Sequence, residues 1–302
     1  MISKILVTGG SGFLGTILKT SINTNDFLLI DIQSCFEKKF NIIDPFSLDE
    51  PYKYDVIIHA AGKAHFVPRS LEEQQEFYDV NYKGTINLCN AIDELETKPQ
   101  AFIFISTVAV YGLDEGSNIE EDSPLLGITP YAKSKIQAEE YLKSWAEKNN
   151  ITLSILRLPL VAGPKPPGNL GAMINGIKSG KYLSIGKADA HKSIVWAADI
   201  ATILPKLIEV GGVYNLTDGY DPAFGELENA ISKALGKSKL IKIPLLAAKA
   251  IAKVGDLLGS KAPINSDKLD KITSTLTFDD SKAQEKLNWK PTKVLDKIGE
   301  IV

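Results

Sequence analysis

The segment TGGSGFLG at residues 8–15, which follows the apolar run KILV at residues 4–7, decides the fold of this chain. Its glycines meet three requirements of a strand that turns sharply into a helix beside a bound phosphate. Gly9 permits the tight turn, Gly12 lets a pyrophosphate approach the backbone, and Gly15 lets the helix pack closely against the strand. The first N–H groups of that helix would then point at the phosphates. A tight turn without a ligand is the alternative, but the position between a strand and a helix favours a dinucleotide site.

Short apolar runs alternate with helical patterns along the first 160 residues. The runs are apolar throughout, as expected of strands buried on both faces, and the alternation favours a parallel sheet with helices on both sides. The sequence therefore predicts an α/β fold with a Rossmann-type doubly wound parallel sheet. Strands are expected at 4–7, 27–30, 55–58, 101–105, 152–156 and 213–216, helices at 13–21, 71–95, 131–148 and 172–179, and a loop rich in Pro and Gly at 158–171.

Composition excludes several classes of protein. The chain has 302 residues, with 34 Lys and Arg against 37 Asp and Glu, so nothing in its charge favours a nucleic-acid partner. No apolar stretch approaches the ~20 residues of a membrane span, and we expect no signal peptide. Cys35 and Cys89 are far apart, which is typical of reduced thiols in a cytoplasmic protein, and three histidines without ligand spacing predict no metal site.

Asp31 closes the second predicted strand, 16 residues after Gly15. A carboxylate at this position accepts hydrogen bonds from the adenosine ribose hydroxyls and repels a 2′-phosphate. No Arg or Lys lies between Asp31 and Lys38. The pattern favours NAD as the cofactor over NADP, and an ordinary turn cap at the end of a strand is the alternative interpretation of Asp31.

A tyrosine, a lysine and a hydroxyl residue form a candidate catalytic group. Tyr131 and Lys135 are spaced i, i+4 and share one face of a helix, and an ammonium beside a phenol lowers its pKa towards the working range. Ser106 and Thr107 end the fourth strand, at the edge where a parallel sheet meets its ligand. A Tyr–Lys pair on its own would be interpreted as a surface pair.

The order of the motifs resembles the extended short-chain dehydrogenase/reductase family, specifically its nucleotide-sugar epimerases and reductases, over nearly the whole chain. The segments that carry the resemblance are TGGSGFLG at 8–15, DVIIHAAG at 55–62, NYKGT at 81–85, FIFISTVAVYG at 102–112 and PYAKSK at 130–135. The resemblance implies that Thr107, Tyr131 and Lys135 are catalytic. The cofactor-binding residues it implies are Gly9, Gly12, Phe13, Leu14, Gly15, Asp31, Ile32, Ala60, Ala61, Gly62, Asn81, Ile105, Tyr131, Lys135 and Leu158.

The resemblance also implies a substrate and a domain division. The substrate would be a nucleotide sugar, with UDP expected, contacted by Thr107, Asn169, Lys192 and His65. Asn169 has the alternative role of a helix N-cap, His65 that of a surface residue, and Lys192 stands near the position where relatives have an arginine. We expect an NAD-binding domain of residues 1–160 plus about 191–217, and a substrate-binding domain of about 161–190 plus 218–302. The family often forms homodimers through two helices of each subunit, which 71–95 and 131–148 would supply here.

Four functions are compatible with these residues. We favour a 4-epimerase, which oxidises sugar C4 and returns the hydride to the other face, over a 4-ketoreductase that consumes NAD(P)H. A dinucleotide-sensing protein without catalysis would be expected to lack the Tyr–Lys pair, and a small lipid or steroid alcohol would not need Asn169 and Lys192. A 4,6-dehydratase is disfavoured because Val108 and Ala109 stand where such enzymes have an Asp–Glu pair.

The segment from Lys239 to Lys261 is apolar with spaced lysines. The favoured interpretation is a helix that packs its Leu and Ile face on the second domain. The alternative is a helix that lies on an anionic membrane surface.

Overall fold

The computed structural model describes residues 3–23, 27–35, 41–48, 53–64, 66–237, 240–258 and 265–302. Its strands are β1 (Ser3–Thr8), β2 (Phe27–Asp31), β3 (Val56–His59), β4 (Ala101–Thr107), β5 (Gly116–Ile119), β6 (Thr152–Leu158), β7 (Leu160–Ala162), β8 (Leu183–Ile185), β9 (Ile194–Trp196), β10 (Gly212–Asn215), β11 (Ile241–Ile243) and β12 (Leu276–Phe278). Its helices are α1 (Phe13–Ser21), α2 (Leu71–Tyr78), α3 (Gly84–Asp93), α4 (Pro130–Asn149), α5 (Gly168–Lys178), α6 (Leu204–Val210), α7 (Phe224–Ala234), α8 (Leu245–Leu258), α9 (Ser266–Thr273), α10 (Ser281–Leu287) and α11 (Ile298–Ile301).

Six strands form one parallel sheet in the order β10-β6-β4-β3-β1-β2. The order reverses between β1 and β3, because β2 lies on one side of β1 and all later strands lie on the other. A crevice for a ligand opens at the carboxyl ends of the strands where such a reversal occurs. The predicted Rossmann-type doubly wound sheet is therefore confirmed, with all six expected strands present.

Both faces of the sheet are covered, which explains the continuous apolar runs. Ile5 and Val7 belong to the hydrophobic cluster on one face, while Leu6 between them belongs to the cluster on the other. Successive side chains of a strand point to opposite faces, so a strand with helices on both sides needs apolar residues at every position. All three side chains are completely buried.

The predicted loop at 158–171 is wrong at both of its ends. Residues 160–162 form β7, which pairs in parallel with β9 in the register Leu160↔Ile194, and α5 begins at Gly168. A three-residue strand that depends on a partner more than 30 residues later has no local pattern of its own. The Pro and Gly content identified the bends but not the strand between them.

The predicted helix at 71–95 is divided into α2 and α3 by a π-helical turn at Asp79–Lys83. The first turn of α2 follows local rules, because the Ser70 hydroxyl accepts a hydrogen bond from the Glu73 N–H. π-Turns are rare and are frequently found at functional sites. This turn contains Asn81.

A second set of elements packs around a cluster of its own, which includes Leu170, Met173, Leu227 and Ile231 from α5 and α7. Strands β8 and β11 form a separate two-stranded sheet, and α8 and α9 pack beside it. Within the described ranges, no helix combines the length and apolarity required to cross a membrane.

Candidate active site

The glycine turn brings two strand ends into backbone contact. Gly9 has a φ of +72°, and a Cβ atom at this position would lie 2.6 Å from the Ala61 nitrogen in the turn after β3. A Cβ at Gly15 would lie 2.2 Å from the Gly9 oxygen. Side chains are thus excluded at both positions, as the sequence predicted for a turn against which a helix packs closely.

Gly12 is the N-cap of α1, and no side chain caps this end of the helix. A Cβ at Gly12 would meet only the Gly9 oxygen within 4 Å, at 3.2 Å. The first N–H groups of α1 thus have no side-chain cap, and the N-terminus of a helix in this condition is suited to binding a phosphate. Phe13 and Leu14 follow in the first turn of α1, where Phe13 lies beside Gly163 and Leu14 packs on the core.

The Asp31 carboxylate lies directly against Gly10, since a Cβ there would be 2.3 Å from Asp31 Oδ2. Lys19 Nζ, from the last turn of α1, donates a hydrogen bond of 2.9 Å to that same oxygen. The sequence analysis missed Lys19 because it searched for cations only after the strand. In a βαβ unit the end of the first helix approaches the second strand, and this proximity could have identified Lys19. Ile32, the next predicted residue, is buried.

The turn after β3 is held by Asn81. The Asn81 amide accepts from the Lys63 N–H at 2.8 Å, and donates to the Lys63 carbonyl and the Ser134 hydroxyl at 3.1 and 3.0 Å. Gly62 lies between this amide and Lys135, and a Cβ atom added to Gly62 would lie 3.4 Å from Lys135 Nζ. Asn81 is completely buried and therefore joins the β3 turn, which also contains Ala60 and Ala61, to α4.

Thr107 and Tyr131 meet at the carboxyl edge of the sheet. The Thr107 hydroxyl lies beside Tyr131 and acts to lower the pKa of the phenol, but burial outweighs this effect and raises that pKa above its ordinary value. Ser106 points the other way and donates to Glu139 Oε1 at 2.5 Å. The alternation of side chains along β4 thus separates the two hydroxyl residues and leaves Thr107 beside the tyrosine.

Lys135 lies one turn after Tyr131 on α4 and is buried. Its ammonium donates to the Ile105 carbonyl at 2.8 Å and lies 4.4 Å from the centre of the Phe104 ring. Burial lowers the pKa of Lys135 to about 8, opposed by the negative charge of Glu139. The expected lowering of the Tyr131 pKa by Lys135 is wrong for this structure, because burial raises that pKa and Thr107, not Lys135, is the group that opposes the rise.

A buried ion pair that the sequence analysis missed lies behind the site. Glu139 Oε2 accepts from Arg157 Nη2 at 2.7 Å, and both side chains are at most 2% exposed. Arg157 also donates to the Tyr111 hydroxyl at 3.0 Å, and Tyr111 donates to Asn215 at 2.8 Å. The network connects α4 to β6 and β10. Glu139 stands four residues after Lys135, and this spacing is the signal that could have found it. Leu158, predicted as a cofactor contact, is buried at the end of β6.

The predicted substrate residues are distributed over separate elements. Asn169 lies exposed within α5, whose N-cap is Pro167, so the alternative interpretation of Asn169 as an N-cap is wrong. Lys192 is half-buried, and burial lowers its pKa while the carboxylate of Asp114 opposes the shift. Asp114 stands seven residues after Thr107 in the chain, so Lys192 lies near the segment that follows β4. His65 lies outside the described residues.

No cluster of three or more His, Cys, Asp or Glu side chains suited to a metal ion occurs in the described part of the chain.

Comparison with known proteins identifies the family. Residues 5–217 match the model of the NAD dependent epimerase/dehydratase family, so the chain belongs to this family and is an NAD-dependent enzyme of the extended short-chain dehydrogenase/reductase type.

Two curated relatives cover almost the whole chain. The N-acetyl-α-D-glucosaminyl-diphospho-ditrans,octacis-undecaprenol 4-epimerase of Escherichia coli O157:H7 is 30% identical, over 93% of this chain and 89% of the relative. The UDP-glucose 4-epimerase of Vibrio cholerae is 28% identical, over 98% of this chain and 93% of the relative. Both are 4-epimerases of sugars carried on a diphosphate.

Among solved structures, RMD from Pseudomonas aeruginosa, complexed with NADPH, superposes with a TM-score of 0.77 at 20% identity, over 99% of this chain and 96% of that chain. At this identity the likeness supports the fold alone. NAD remains the cofactor that the family model indicates, and the uncapped start of α1 at Gly12 and the carboxylate of Asp31 beside Gly10 are groups of the kind that NAD requires.

Proposed function

We propose that this protein is an NAD-dependent 4-epimerase of a hexose linked through a diphosphate to a carrier, with a UDP-sugar as the first candidate substrate. The observation that supports the proposal is the position of Tyr131 beside Thr107, with Lys135 one turn later on α4 and its ammonium held at the Ile105 carbonyl of the same strand as Thr107. Both curated relatives described above are named as 4-epimerases.

The residues divide the chemistry among them. NAD, when bound, supplies the nicotinamide that accepts a hydride and returns it. The phenolate of Tyr131 takes the proton of the C4 hydroxyl as the C4 hydride leaves, and the substrate becomes a 4-ketosugar. Thr107 holds the same oxygen through its hydroxyl. Tyr131 then returns the proton to that oxygen when the hydride reaches the opposite face of the turned sugar.

Lys135 and Asn81 prepare this step. The Lys135 ammonium, held at the Ile105 carbonyl, provides the positive charge that a phenolate requires in a buried site, and its other donors are available to ribose hydroxyls. Asn81 holds the turn after β3 against α4, so that Gly62 stays beside Lys135. We assign Gly9, Gly12, Gly15 and Asp31 to the cofactor, and Asn169 and Lys192 to the diphosphate.

The experiment is an incubation of the purified protein with UDP-sugars and no added cofactor. Interconversion of the C4 epimers supports the proposal, because an epimerase returns the hydride it takes. Strict dependence on added NAD(P)H, with net reduction of a 4-ketosugar, would instead identify a 4-ketoreductase.

Tyr131→Phe should lower turnover by about 10²- to 10⁴-fold, the usual contribution of a positioned acid–base group. The ring packing against Phe77 is retained in this variant, so the fold should be unaffected. Tyr141→Phe, a similar change on the same helix, is the matched control and should leave turnover unchanged. Near-normal turnover of Tyr131→Phe would remove the phenol from the mechanism.

A lipid-linked substrate is the second candidate. It is favoured by the Escherichia coli relative, whose name specifies a sugar diphosphate on undecaprenol. Assays with the UDP-sugar and with the undecaprenyl-linked sugar in detergent would separate the two carriers.

Three further features belong to this proposal. The substrate would lie between two domains. The NAD-binding domain would comprise residues 1–160 plus about 191–217, and the substrate-binding domain residues of about 161–190 plus 218–302. A homodimer through α2, α3 and α4, and a cytoplasmic location, stay predictions from the sequence.

A further inference from the structure

Helix α8 contacts the rest of the protein through its small residues. Ala248 and Ala252 are completely buried, and Gly255 completes the same face. The two alanines pack in a small cluster with Ile185 and Leu269 from β8 and α9. The sequence analysis favoured the reverse arrangement, with the large apolar side chains turned inwards, and this expectation is wrong.

Four large apolar residues of α8 face outwards. Leu246 is 81% exposed, Val254 60%, Ile251 47% and Leu245 37%. Leu246, Ala250 and Val254 are spaced i, i+4, i+8 and therefore form one stripe along the helix. The neighbouring strand β11 adds Ile241, which is 60% exposed. A helix of a globular protein normally directs such a stripe to the core, so these side chains indicate a partner that is itself apolar.

Lysines border this stripe. Lys249 and Lys253 are exposed and lie about 60° around the helix axis from Leu246 and Ala250, respectively. The segment 239–261 contains five lysines and one acidic residue, Asp256. The partner must therefore combine an apolar interior with negative charge at its surface. A second copy of this chain would bring equal lysine rows together.

We propose that α8 docks in the plane of a membrane surface that contains anionic phospholipids. Leu246, Val254 and Ile251 would enter the boundary between headgroups and acyl chains, while Lys249 and Lys253 would contact the phosphates. With 14 residues, α8 is about 21 Å long, shorter than the ~30 Å hydrocarbon core of a bilayer, so it lies on the surface and does not span it. This docking goes beyond the proposed function and does not depend on it.

The test is flotation of the full-length protein with vesicles of phosphatidylcholine, with and without phosphatidylglycerol. The protein should float with the anionic vesicles and less with the neutral ones. The double variant Leu246→Ser/Val254→Ser should lose flotation. Lys249→Glu/Lys253→Glu should weaken binding to the anionic vesicles by more than about 25-fold, since removal of each lysine alone is worth about fivefold.

Matched controls are Val210→Ser and Lys143→Glu, which change an exposed apolar and an exposed basic residue outside α8 and should float like the unaltered protein. Circular dichroism checks that every variant is folded. Epimerisation of a water-soluble UDP-sugar should be unchanged in the α8 variants, which separates the failure of docking from failure of the proposed function.

Three results would overturn the proposal. The first is the absence of flotation, and the second is flotation that both double variants retain. The third is a dimer in light scattering that Leu246→Ser/Val254→Ser converts to a monomer without vesicle binding, because a second copy would then cover the stripe.

Discussion

At the scale of single residues, Asp31 and Lys19 form a pair at the position where the adenosine ribose is expected. The carboxylate that we assign to the ribose is partly neutralised by an ammonium 2.9 Å away. This ammonium is also a source of positive charge for a 2′-phosphate, so the two residues act in opposite directions on the choice between NAD and NADP.

Asp31→Ala should weaken NAD binding by about tenfold or more, the value of one hydrogen bond to a charged group, and should increase the relative affinity for NADP. This increase in the relative affinity for NADP should disappear in the double variant Asp31→Ala/Lys19→Ala, because the Lys19 ammonium supplies the positive charge for the 2′-phosphate. Titrations with NAD and with NADP, monitored by protein fluorescence, give the ratio of the two affinities. Lys206→Ala, which breaks an exposed ion pair with Glu209 elsewhere, is the control. An unchanged ratio in Asp31→Ala would contradict the assignment.

At the scale of elements, the ion pair of Glu139 and Arg157 connects α4 to β6 behind the proposed catalytic side chains. Removing one partner of a buried pair leaves the other charge without compensation in a poorly solvating interior. Glu139 also acts on Lys135, since its negative charge opposes the burial that lowers the pKa of that lysine to about 8.

Glu139→Gln should therefore have two effects. The free energy of unfolding should fall by about 3 kcal/mol, as measured by urea denaturation. The pKa of Lys135 should fall further below 8, so the alkaline decline of kcat/KM should move to lower pH. Glu228→Gln is a matched control, because Glu228 is a buried glutamate that accepts from Tyr182 and Ser184 in the second set of elements. It should lose stability without the shift in the pH profile, and an equal shift in both variants would refute a specific effect on Lys135.

Elements of the main sheet could be predicted because their signals are local. Ile5, Leu6 and Val7 show burial on both faces, and Gly9 and Gly15 occupy positions at which a Cβ atom would collide with the backbone. Strand β7 and the partners of Glu139 could not be predicted, since pairing and burial at those positions depend on residues distant in the chain. The choice of Thr107 over Ser106 came from the family resemblance, and the structure adds the alternation along β4 as its physical reason.

At the scale of the whole molecule, His59 makes stability depend on pH. Its ring is completely buried between the hydroxyls of Thr8 and Thr85, at 2.6 and 2.9 Å, and so connects β1, β3 and α3. Burial, assisted by the charge of Lys135, lowers the pKa of His59 from 6.5 to about 3. Between these two pH values the unfolded chain binds a proton that the folded protein does not, so stability is present above pH 6.5 and is lost as the pH falls towards 3.

Lowering the pH from 7 to 5 should cost about 2 kcal/mol of unfolding free energy through this residue. His59→Gln should be less stable at pH 7 but should show a smaller loss between pH 7 and 5, because glutamine does not titrate. His191→Gln, at an exposed histidine, should keep the full dependence. Chemical denaturation at both pH values measures the difference, and an identical loss in the His59 variant would exclude His59 as its source.

The π-turn at Asp79–Lys83 gives the helical region before α3 one residue more than an uninterrupted α-helix would accommodate. A deletion of a single residue there would remove the wide turn and let the backbone relax to ordinary α-geometry, which would change the positions of the remaining residues within that turn. The Asn81 amide would then lose its alignment with Lys63 and Ser134, although no contacting side chain had been replaced. The number of residues in this π-turn therefore determines where the Asn81 amide lies. An insertion or deletion in the turn would displace that amide, which a substitution of a neighbouring side chain would not do.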